Sequence, residues 1–561
     1  MRVVLAAVNA RYTHSSLALR YLKSYCGRQF PQIETVEFNI NQSPRAMLAD
    51  LALRRPDVVG FSCYIWNIEI ILPLVRSLRK VCPETTILLG GPEVSFDGEH
   101  WLNGNESIDF LIAGEGEEAL RRFLEEYERC GGRLSPESLA AIPGLVYRDG
   151  EGRVVANPGE PLDLAALPTL YEGDLTDLED KIVYFETTRG CPFRCAYCLS
   201  SVMGPVRAFP MERVKGELAR LARAGVQQVR FVDRTFNYDV RRAYELLEYM
   251  ISLDTNTRFQ LEVGGDLLTE PVLELLTTAP ENRFQFEIGV QSTNPATLQA
   301  VSRRSDLGRL AESVRFLKER TKVIVLLDLI AGLPEEGFRR FGESFDFVYN
   351  LKPDRIHLGF LKLLRGSRLR AEAPQFGCLF TDEAPYEVLA TKDLSFAELQ
   401  RLKLIEDLVE KYYGPRFERS LEYLLRDGRS PFEFFDQFAA KWERAGYHWM
   451  EHSLLSRYRI LLDFFGRDNP DLRPWLLFDF RSHERRQPVP PWLGGGRARV
   501  VPSELVRSGL LAELLPETAG LTPRQLERRI AVEELDFSEG TQTILFYYPL
   551  EGTRARTVRL A

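Results

Sequence analysis

Over the first 130 residues, short continuous apolar runs alternate with segments in which apolar positions recur every three or four residues. The runs at 3–8, 58–64, 86–91 and 109–117 are near-continuous, as expected of strands buried on both faces of a parallel sheet. Segments such as SLALRYLKSYC and EIILPLVRSLRKVC between them carry the helical period. The alternation predicts a doubly wound α/β domain over 1–130, with ligands expected at the carboxyl ends of its strands. Residues 131–180 are turn-rich (GGRLSPES, RDGEGR, NPGEPLDLAALP) and predict a linker with one hairpin. A second series follows, with strands at 182–188, 227–233, 258–263, 283–290, 323–333 and 355–363 separated by helical segments. Six such βα units over 181–375 predict a (β/α)6 partial barrel, whose chemistry belongs at the C-terminal strand ends. Residues 376–561 become mainly helical and pass through a polar stretch, SHERRQPVPPWLGGGRAR, to a mixed tail.

Composition changes this picture little. The 561 residues are 45% hydrophobic and 27% charged, ordinary for folded protein. A net charge of −8 argues against gripping nucleic acid by bulk charge. No apolar run reaches the roughly 18–20 residues that span a bilayer. The N-terminal MRVVLAAVNARYTH lacks a full signal-peptide layout and suits a first strand. Eight cysteines in such a chain fit a reducing cytoplasm, where clustered thiols serve metals or catalysis before disulfides.

Three of the eight fall in ETTRGCPFRCAYCLSS, with C-x3-C-x2-C spacing: Cys191, Cys195 and Cys198. They directly follow the first strand of the second series, on the active face. A structural zinc site would need a fourth ligand from afar. An iron–sulfur cluster held by three thiolates would instead keep one iron open to a substrate or cofactor.

C-x3-C-x2-C after the first strand of a βα barrel, with aromatic Tyr197 before the third cysteine, resembles the radical S-adenosylmethionine superfamily. The resemblance implies a [4Fe-4S] cluster on Cys191, Cys195 and Cys198, reductive cleavage of S-adenosylmethionine to a 5′-deoxyadenosyl radical, and a flavodoxin- or ferredoxin-type electron donor. It implies contacts to the methionine amino group from Asp233, although the family's usual Gly-Gly-Glu is absent. Glu287, Gln291 and Ser292 would meet ribose hydroxyls and carboxylate, and Arg303 the methionine carboxylate. Gly332 and Pro334 would form a tight turn beside the adenine. The bland alternative is that strand-end acids cap helices and Arg303 is solvated.

The strand-end loops of the first domain resemble those of the cobalamin-binding, Rossmann-like domain in cobalamin-dependent radical S-adenosylmethionine enzymes. The residues that carry the likeness are Asn9, Tyr12, His14 and Ser15; Ser62, Tyr64, Trp66 and Asn67; Gly90, Gly91, Pro92 and Glu93; and Glu115, Gly116 and Glu117. No G-x-G-x-x-G follows the first strand, which disfavours a dinucleotide. The D-x-H-x-x-G motif also fails around His14, so Tyr64, Trp66 and Asn67 are the better expected floor beneath a corrin. Ordinary packing of that aromatic set, and helix capping by Glu115 and Glu117, stand as alternatives. The region from PYEVLATKDLSFAELQRLKLIEDLVEKYYGPRF onward resembles the helical extension of an uncharacterised branch of that class, a cap on the barrel mouth. Together these imply methylation of an unactivated carbon of a small-molecule metabolite through methylcobalamin. A rearrangement, cyclisation or ring contraction with the same cofactors, and a non-catalytic cluster or corrinoid carrier, remain as alternatives. HWMEH (His448 to His452) formally matches a zinc motif if helical, and RSHERRQ is a basic run suited to a solvated loop.

Overall fold

The computed structural model describes residues 1–561 except 174, 179, 486, 495–504, 508, 551–553 and 561. The chain divides into two compact units. The first comprises 1–344, 351–353 and 358–396; the second comprises 345–350, 354–357 and 397–561.

The first unit opens with a seven-stranded sheet of β1 (Val3–Asn9), β2 (Ile33–Asn39), β3 (Val58–Ser62), β4 (Thr86–Gly90), β5 (Phe110–Ile112), β6 (Leu145–Arg148) and β7 (Val154–Ala156), in the order β2-β1-β3-β4-β5-β6-β7. β1 to β5 are parallel. Val4, Ala6 and Val8 of β1 enter one core and Val3, Leu5 and Ala7 the other, which is why this strand shows no polar alternation. The linker expectation needs correction. Its hairpin, β6 and β7, pairs antiparallel onto β5 and completes the first sheet. The reason is apolar: Leu145, Val146 and Tyr147 are buried against the domain's two cores.

The second sheet is built from β8 (Ile182–Phe185), β11 (Gln228–Phe231), β12 (Arg258–Glu262), β13 (Phe284–Gln291), β14 (Ile324–Ala331) and β15 (Arg355–Phe360), in the order β15-β14-β13-β12-β11-β8. Two short strands, β9 (Thr188–Arg189) and β10 (Arg207–Ala208), lie between β8 and β11 in sequence. In β13, Phe284, Phe286, Ile288 and Val290 are buried, and the alternate positions are polar or glycine. Those alternate positions lie on the other face, where Gln228, Gln260, Glu287 and Arg230 form a ladder. Gln228 Nε2 donates to Gln260 Oε1 at 2.8 Å, Gln260 Nε2 to Glu287 Oε2 at 2.9 Å, and Arg230 Nη2 to the same oxygen at 3.2 Å. A polar inner face is what a barrel that holds a ligand requires, in place of one filled by packing. Burial pushes the Glu262 carboxyl on this face up to about 7, partly opposed by Arg234. Among the described residues no helix is long and apolar enough to cross a membrane.

In the second unit the helices Phe396–Tyr412, Pro431–Arg444, Leu454–Phe465 and Leu472–His483 pack through aromatic rings. Tyr412 meets Phe438 at 4.8 Å and Phe417 meets Tyr458 at 4.5 Å between centroids. Phe434, Phe435 and Phe438 of the PFEFFDQF run are fully buried core. The region is not wholly helical. It ends in an antiparallel sheet, reached after β16 (Leu379–Phe380) and β17 (Val388–Ala390) of the first unit, formed by β18 (Ile530–Phe537), β19 (Gly540–Tyr547) and β20 (Arg556–Leu560). HWMEH forms no helical face: a 3-10 turn ends at Trp449, Met450 is extended, and His452 Nε2 pairs with the Tyr447 carbonyl oxygen at 3.0 Å. Of the polar stretch after Arg481, residues 486 and 495–499 lie outside the described residues.

Asp479 is fully buried and accepts from Ser420 N at 2.8 Å, Ser420 Oγ at 2.7 Å and Arg419 N at 3.2 Å. Burial pushes its carboxyl up to about 7, even against these donors. A carboxyl raised on folding holds its proton better in the native state, so its contribution is largest in acid and is lost as pH rises toward 7. Asp479→Ala should destabilise this unit by about 3 kcal/mol, because it strands buried donors. Asp479→Asn should flatten the fall in unfolding midpoint between about pH 4 and 7. Thermal melts across that range check both.

Candidate active site

The cysteine loop leaves the C-terminal end of β8. Its neck is the antiparallel pair β9–β10, with Thr188 opposite Ala208 and Arg189 opposite Arg207. Gly190 turns the chain at φ +99°, and a Cβ there would sit 2.6 Å from the Pro205 carbonyl oxygen, so the turn requires glycine. Inside the loop, Cys195 is 6% exposed, Cys191 and Cys198 are half-buried, and all three thiols are free. Cys198 N donates to the Cys195 carbonyl at 3.1 Å and Ala196 N to that of Val301 at 2.9 Å. Leu369 N in turn donates to the Ala196 carbonyl at 2.9 Å. The segment between the second and third cysteines is thus held by backbone from two distant places, the end of the helix Pro295–Ala300 and the helix Arg368–Glu372.

Arg303, 14 residues beyond Gly289, reaches back to this loop. Its Nη1 lies 3.8 Å from Cys195 Sγ and 3.4 Å from Tyr197 Oη, and its Nη2 donates to the Gly289 carbonyl. It is not solvated. Burial raises the Tyr197 phenol, against the pull of Arg303. Gln291 adopts φ +68° at an irregularity in the β13–β14 register. A Cβ on Gly289 would lie 2.2 Å from Gln291 Nε2, so that glycine leaves room for the amide. Gln291 Oε1 and Arg303 Nε are both buried without a hydrogen-bond partner among the described residues. Gly332 turns the chain after β14 at φ +89°, with Pro334 buried beside it.

Two expected contacts are redirected. Asp233, 1% exposed, accepts from Thr187 N at 2.9 Å and from Thr187 Oγ1 and Thr188 Oγ1 at 2.6 Å each. It pins the start of the cysteine loop instead of facing an open site. Ser292 is fully buried and donates to Glu336 Oε1 at 2.6 Å. Glu287 pairs with Arg230 and Gln260 on the inner face, as above.

In the first-domain loops, several polar groups are joined to the barrel. Ser15 Oγ donates to the Ile182 carbonyl at 3.0 Å, and Ile182 N donates to the Thr13 carbonyl at 2.7 Å. His14 Nδ1 pairs with Tyr184 Oη at 3.2 Å, so this nitrogen is taken by β8. Burial lowers the imidazole below its ordinary pKa, with Arg11 and Arg230 adding to the effect. Tyr12 is 70% exposed, with the Lys181 ammonium 3.7 Å over its ring. Asn9 Nδ2 donates to the His14 carbonyl at 3.1 Å and to Glu37 at 2.7 Å. Glu93 accepts from Tyr386, which also accepts from Arg365 Nε at 3.0 Å. Glu115 and Glu117 do not merely cap a helix. Arg207 pairs with Glu115, and Arg189 Nη2 lies 2.6 Å from Glu117 Oε1.

What stays available is flat and aromatic. Tyr64 and Trp66 stack at 4.2 Å and 10°, and Trp66 remains 46% exposed. Asn67 holds the strand ends beneath them, donating to the Val8 carbonyl at 3.0 Å and the Ser62 carbonyl at 2.9 Å. Gly91, at φ +108°, passes so close to Cys63 that a Cβ would meet its carbonyl oxygen at 2.6 Å. Gly90 ends β4, Pro92 is exposed, and Gly116 opens the helix Gly116–Arg129. Sequence reasoning missed Thr187, Thr188, Arg189 and Arg207. The first three stand inside ETTRG, and their position against the cysteines was the available signal.

Comparison with known proteins agrees with this architecture. A family model described as the B12 binding domain matches residues 3–124, and one described as the radical SAM superfamily matches 185–348. A third, described as a protein of unknown function (DUF4080), matches 374–545. The cobalamin-dependent radical SAM methyltransferase TokK of Streptomyces tokunonensis is 27% identical over 54% of this chain and 46% of its own length. The hopanoid C-3 methylase of Methylococcus capsulatus is 26% identical over 52% of this chain and 56% of its own. The chain thus spans about half the length of these curated relatives. In fold it is similar to the radical S-adenosylmethionine methyltransferase TsrM of Kitasatospora setae, a structure with cobalamin and a [4Fe-4S] cluster bound. That likeness has a TM-score of 0.58 at 16% identity and covers 69% of this chain and 79% of that one. The chain thus carries a match to a B12 binding domain and a match to the radical SAM superfamily, with three free thiols at the expected strand end, and is similar to cobalamin-dependent radical S-adenosylmethionine enzymes.

Proposed function

We propose that this protein binds a [4Fe-4S] cluster, S-adenosylmethionine and cobalamin, and methylates an unactivated carbon of a small polar metabolite. The observation that carries the reading is the cysteine loop with its surroundings. Three free thiols sit at the end of β8, and beside them Gln291 Oε1 and Arg303 Nε are buried polar atoms with no protein partner among the described residues. Buried polar atoms without partners are costly unless a ligand satisfies them. Among the described residues no three His, Cys, Asp or Glu side chains converge on a single metal ion; a multi-iron cluster takes each thiolate at a separate corner. When bound, these groups supply one-electron cleavage of a sulfonium and a methyl carrier.

The chain's own residues have separable tasks. Cys191, Cys195 and Cys198 hold the cluster. Arg303 and Gln291 orient the methionine and ribose portions, and the turn at Gly332 and Pro334 admits the adenine. Asp233 keeps the loop in register. The stacked Tyr64 and Trp66 would hold the flat face of the corrin, which would supply the methyl group. The polar inner face around Glu262 and Glu287 receives the substrate. Residues 1–130 would hold the corrinoid and 181–375 the cluster, with 376–561 a further, mainly helical domain. A reduced flavodoxin or ferredoxin supplies electrons in the cytoplasm.

Anaerobically purified protein should give ultraviolet–visible and Mössbauer spectra of about four irons per chain together with corrinoid bands. Turnover should release S-adenosylhomocysteine together with 5′-deoxyadenosine. Deoxyadenosine alone would replace methylation by rearrangement, and no iron at all would remove the reading.

A further inference from the structure

The neck of the cysteine loop presents an electrostatic problem. Arg189 and Arg207 are direct partners across a ladder only two residues long. Like charges placed opposite one another on antiparallel strands repel, and two residue pairs give little backbone bonding to oppose that. Arg189 has a side chain only 10% exposed, so water does not dissipate its charge. The compensating acids come mostly from the other domain. Arg189 Nη2 lies 2.6 Å from Glu117 and 2.9 Å from Glu186, and Arg189 Nη1 is 3.7 Å from Glu115. Arg207 pairs through Nη2 with Glu115 Oε1 and through Nη1 with its other oxygen at 3.3 Å. Only Glu186 belongs to the barrel. Glu115 and Glu117 stand on the turn after β5 and the start of the helix Gly116–Arg129. Glu115 is itself fixed by Leu162 N at 2.9 Å.

We propose that Glu115 and Glu117 are positioning residues that latch the cysteine loop: they neutralise the opposed arginines and so keep the neck closed, making the cluster's cradle depend on the B12-binding domain being in place. The latch adds to the cluster reading above and rests on it for its consequence, though not for its geometry. With both acids removed, among the described residues Arg189 retains Glu186 and Arg207 retains only the Leu162 carbonyl. The neck then opens more often, and the thiols between Gly190 and Pro205 become accessible.

Two measurements on the full-length protein separate the latch from the cluster reading. In anaerobically reconstituted protein, a Glu115→Gln/Glu117→Gln variant should lose iron to a chelator about tenfold faster than the parent, with its unfolding midpoint little changed. In cluster-free protein, iodoacetamide should alkylate Cys191, Cys195 and Cys198 faster by a similar factor, read by peptide mass spectrometry. This second arm needs no iron; if the parent takes up none, the function reading fails while the latch is still tested. Adding Arg207→Ala removes the repulsion and should bring both rates back toward the parent. Where the double variant does not fold, single changes suffice: Glu117→Asp, which keeps the charge, should raise alkylation less than Glu117→Gln. Unchanged rates in the Gln variants, no rescue by Arg207→Ala, or equal rates for Asp and Gln would each overturn the proposal.

Discussion

Cys195→Ala should abolish iron retention and lower S-adenosylmethionine cleavage by at least about a thousandfold, with the fold intact. Of the three thiols Cys195 is the most enclosed, at 6% exposure, and the only one approached by a guanidinium, at 3.8 Å. A cubane needs three protein sulfurs to leave a single open iron; with two, the cluster is lost or rearranged. The fold should survive because the loop's backbone is fixed independently, by Ala196 N on Val301 and by Leu369 N on Ala196, each at 2.9 Å. Loss of one small buried side chain costs about 1 kcal/mol. The control is Cys63→Ala. Cys63 is fully buried in the first domain, and burial pushes its thiol well above the ordinary value. It should keep full iron content. Iron analysis, deoxyadenosine formation and a thermal melt on both variants decide the matter: a Cys195→Ala protein with parental iron and cleavage would remove the cysteine loop from the chemistry.

How far the sequence carries depends on the kind of signal. The first sheet was legible because its strands are apolar runs buried on both faces, and the second because its strand-length segments, alternating apolar and polar in β13, are separated by helical periods. The hairpin at 145–156 was visible as turn chemistry, yet its membership in the first sheet was not, since pairing to β5 is a long-range fact. The three cysteines were legible from their spacing together with their place after the first strand of the second series. Their supports were not, because a strand-end Asp, Glu or Ser looks the same whether it meets a ligand or another domain. Glu115, Glu117, Ser15 and His14 turned out to face the barrel, and Glu93 to meet Tyr386 beyond it. The glycine and proline turns and the aromatic pair were the better guides: backbone shape and a stacked ring surface are local properties, whereas hydrogen-bond partners are set by what the rest of the fold delivers.

Asp233→Ala carries the largest expected stability cost in the catalytic half, and it also strikes the loop. Its carboxyl accepts from Thr187 N at 2.9 Å and takes both neighbouring threonine hydroxyls at 2.6 Å. Burial pushes the Asp233 carboxyl up, with the Thr187 and Thr188 donors pulling the other way. Truncation leaves three buried donors without an acceptor, and each stranded group costs about 1–3 kcal/mol, less than additively. A total near 4 kcal/mol corresponds to a fall of roughly 10 °C in the unfolding midpoint for a domain of this size. Asp233→Asn should fall between parent and Ala, because its oxygen can still accept from one threonine while its amide opposes Thr187 N. The same bonds set where β9 begins, so the neck should loosen along with the fold. Iron content should therefore drop below that of any variant of equal stability made elsewhere, for instance Asp479→Ala in the second unit. Calorimetry paired with iron analysis separates the two effects. If Asp233→Ala melts with the parent, the three bonds contribute nothing net. If it melts low but keeps its iron, Asp233 supports the domain without positioning the loop.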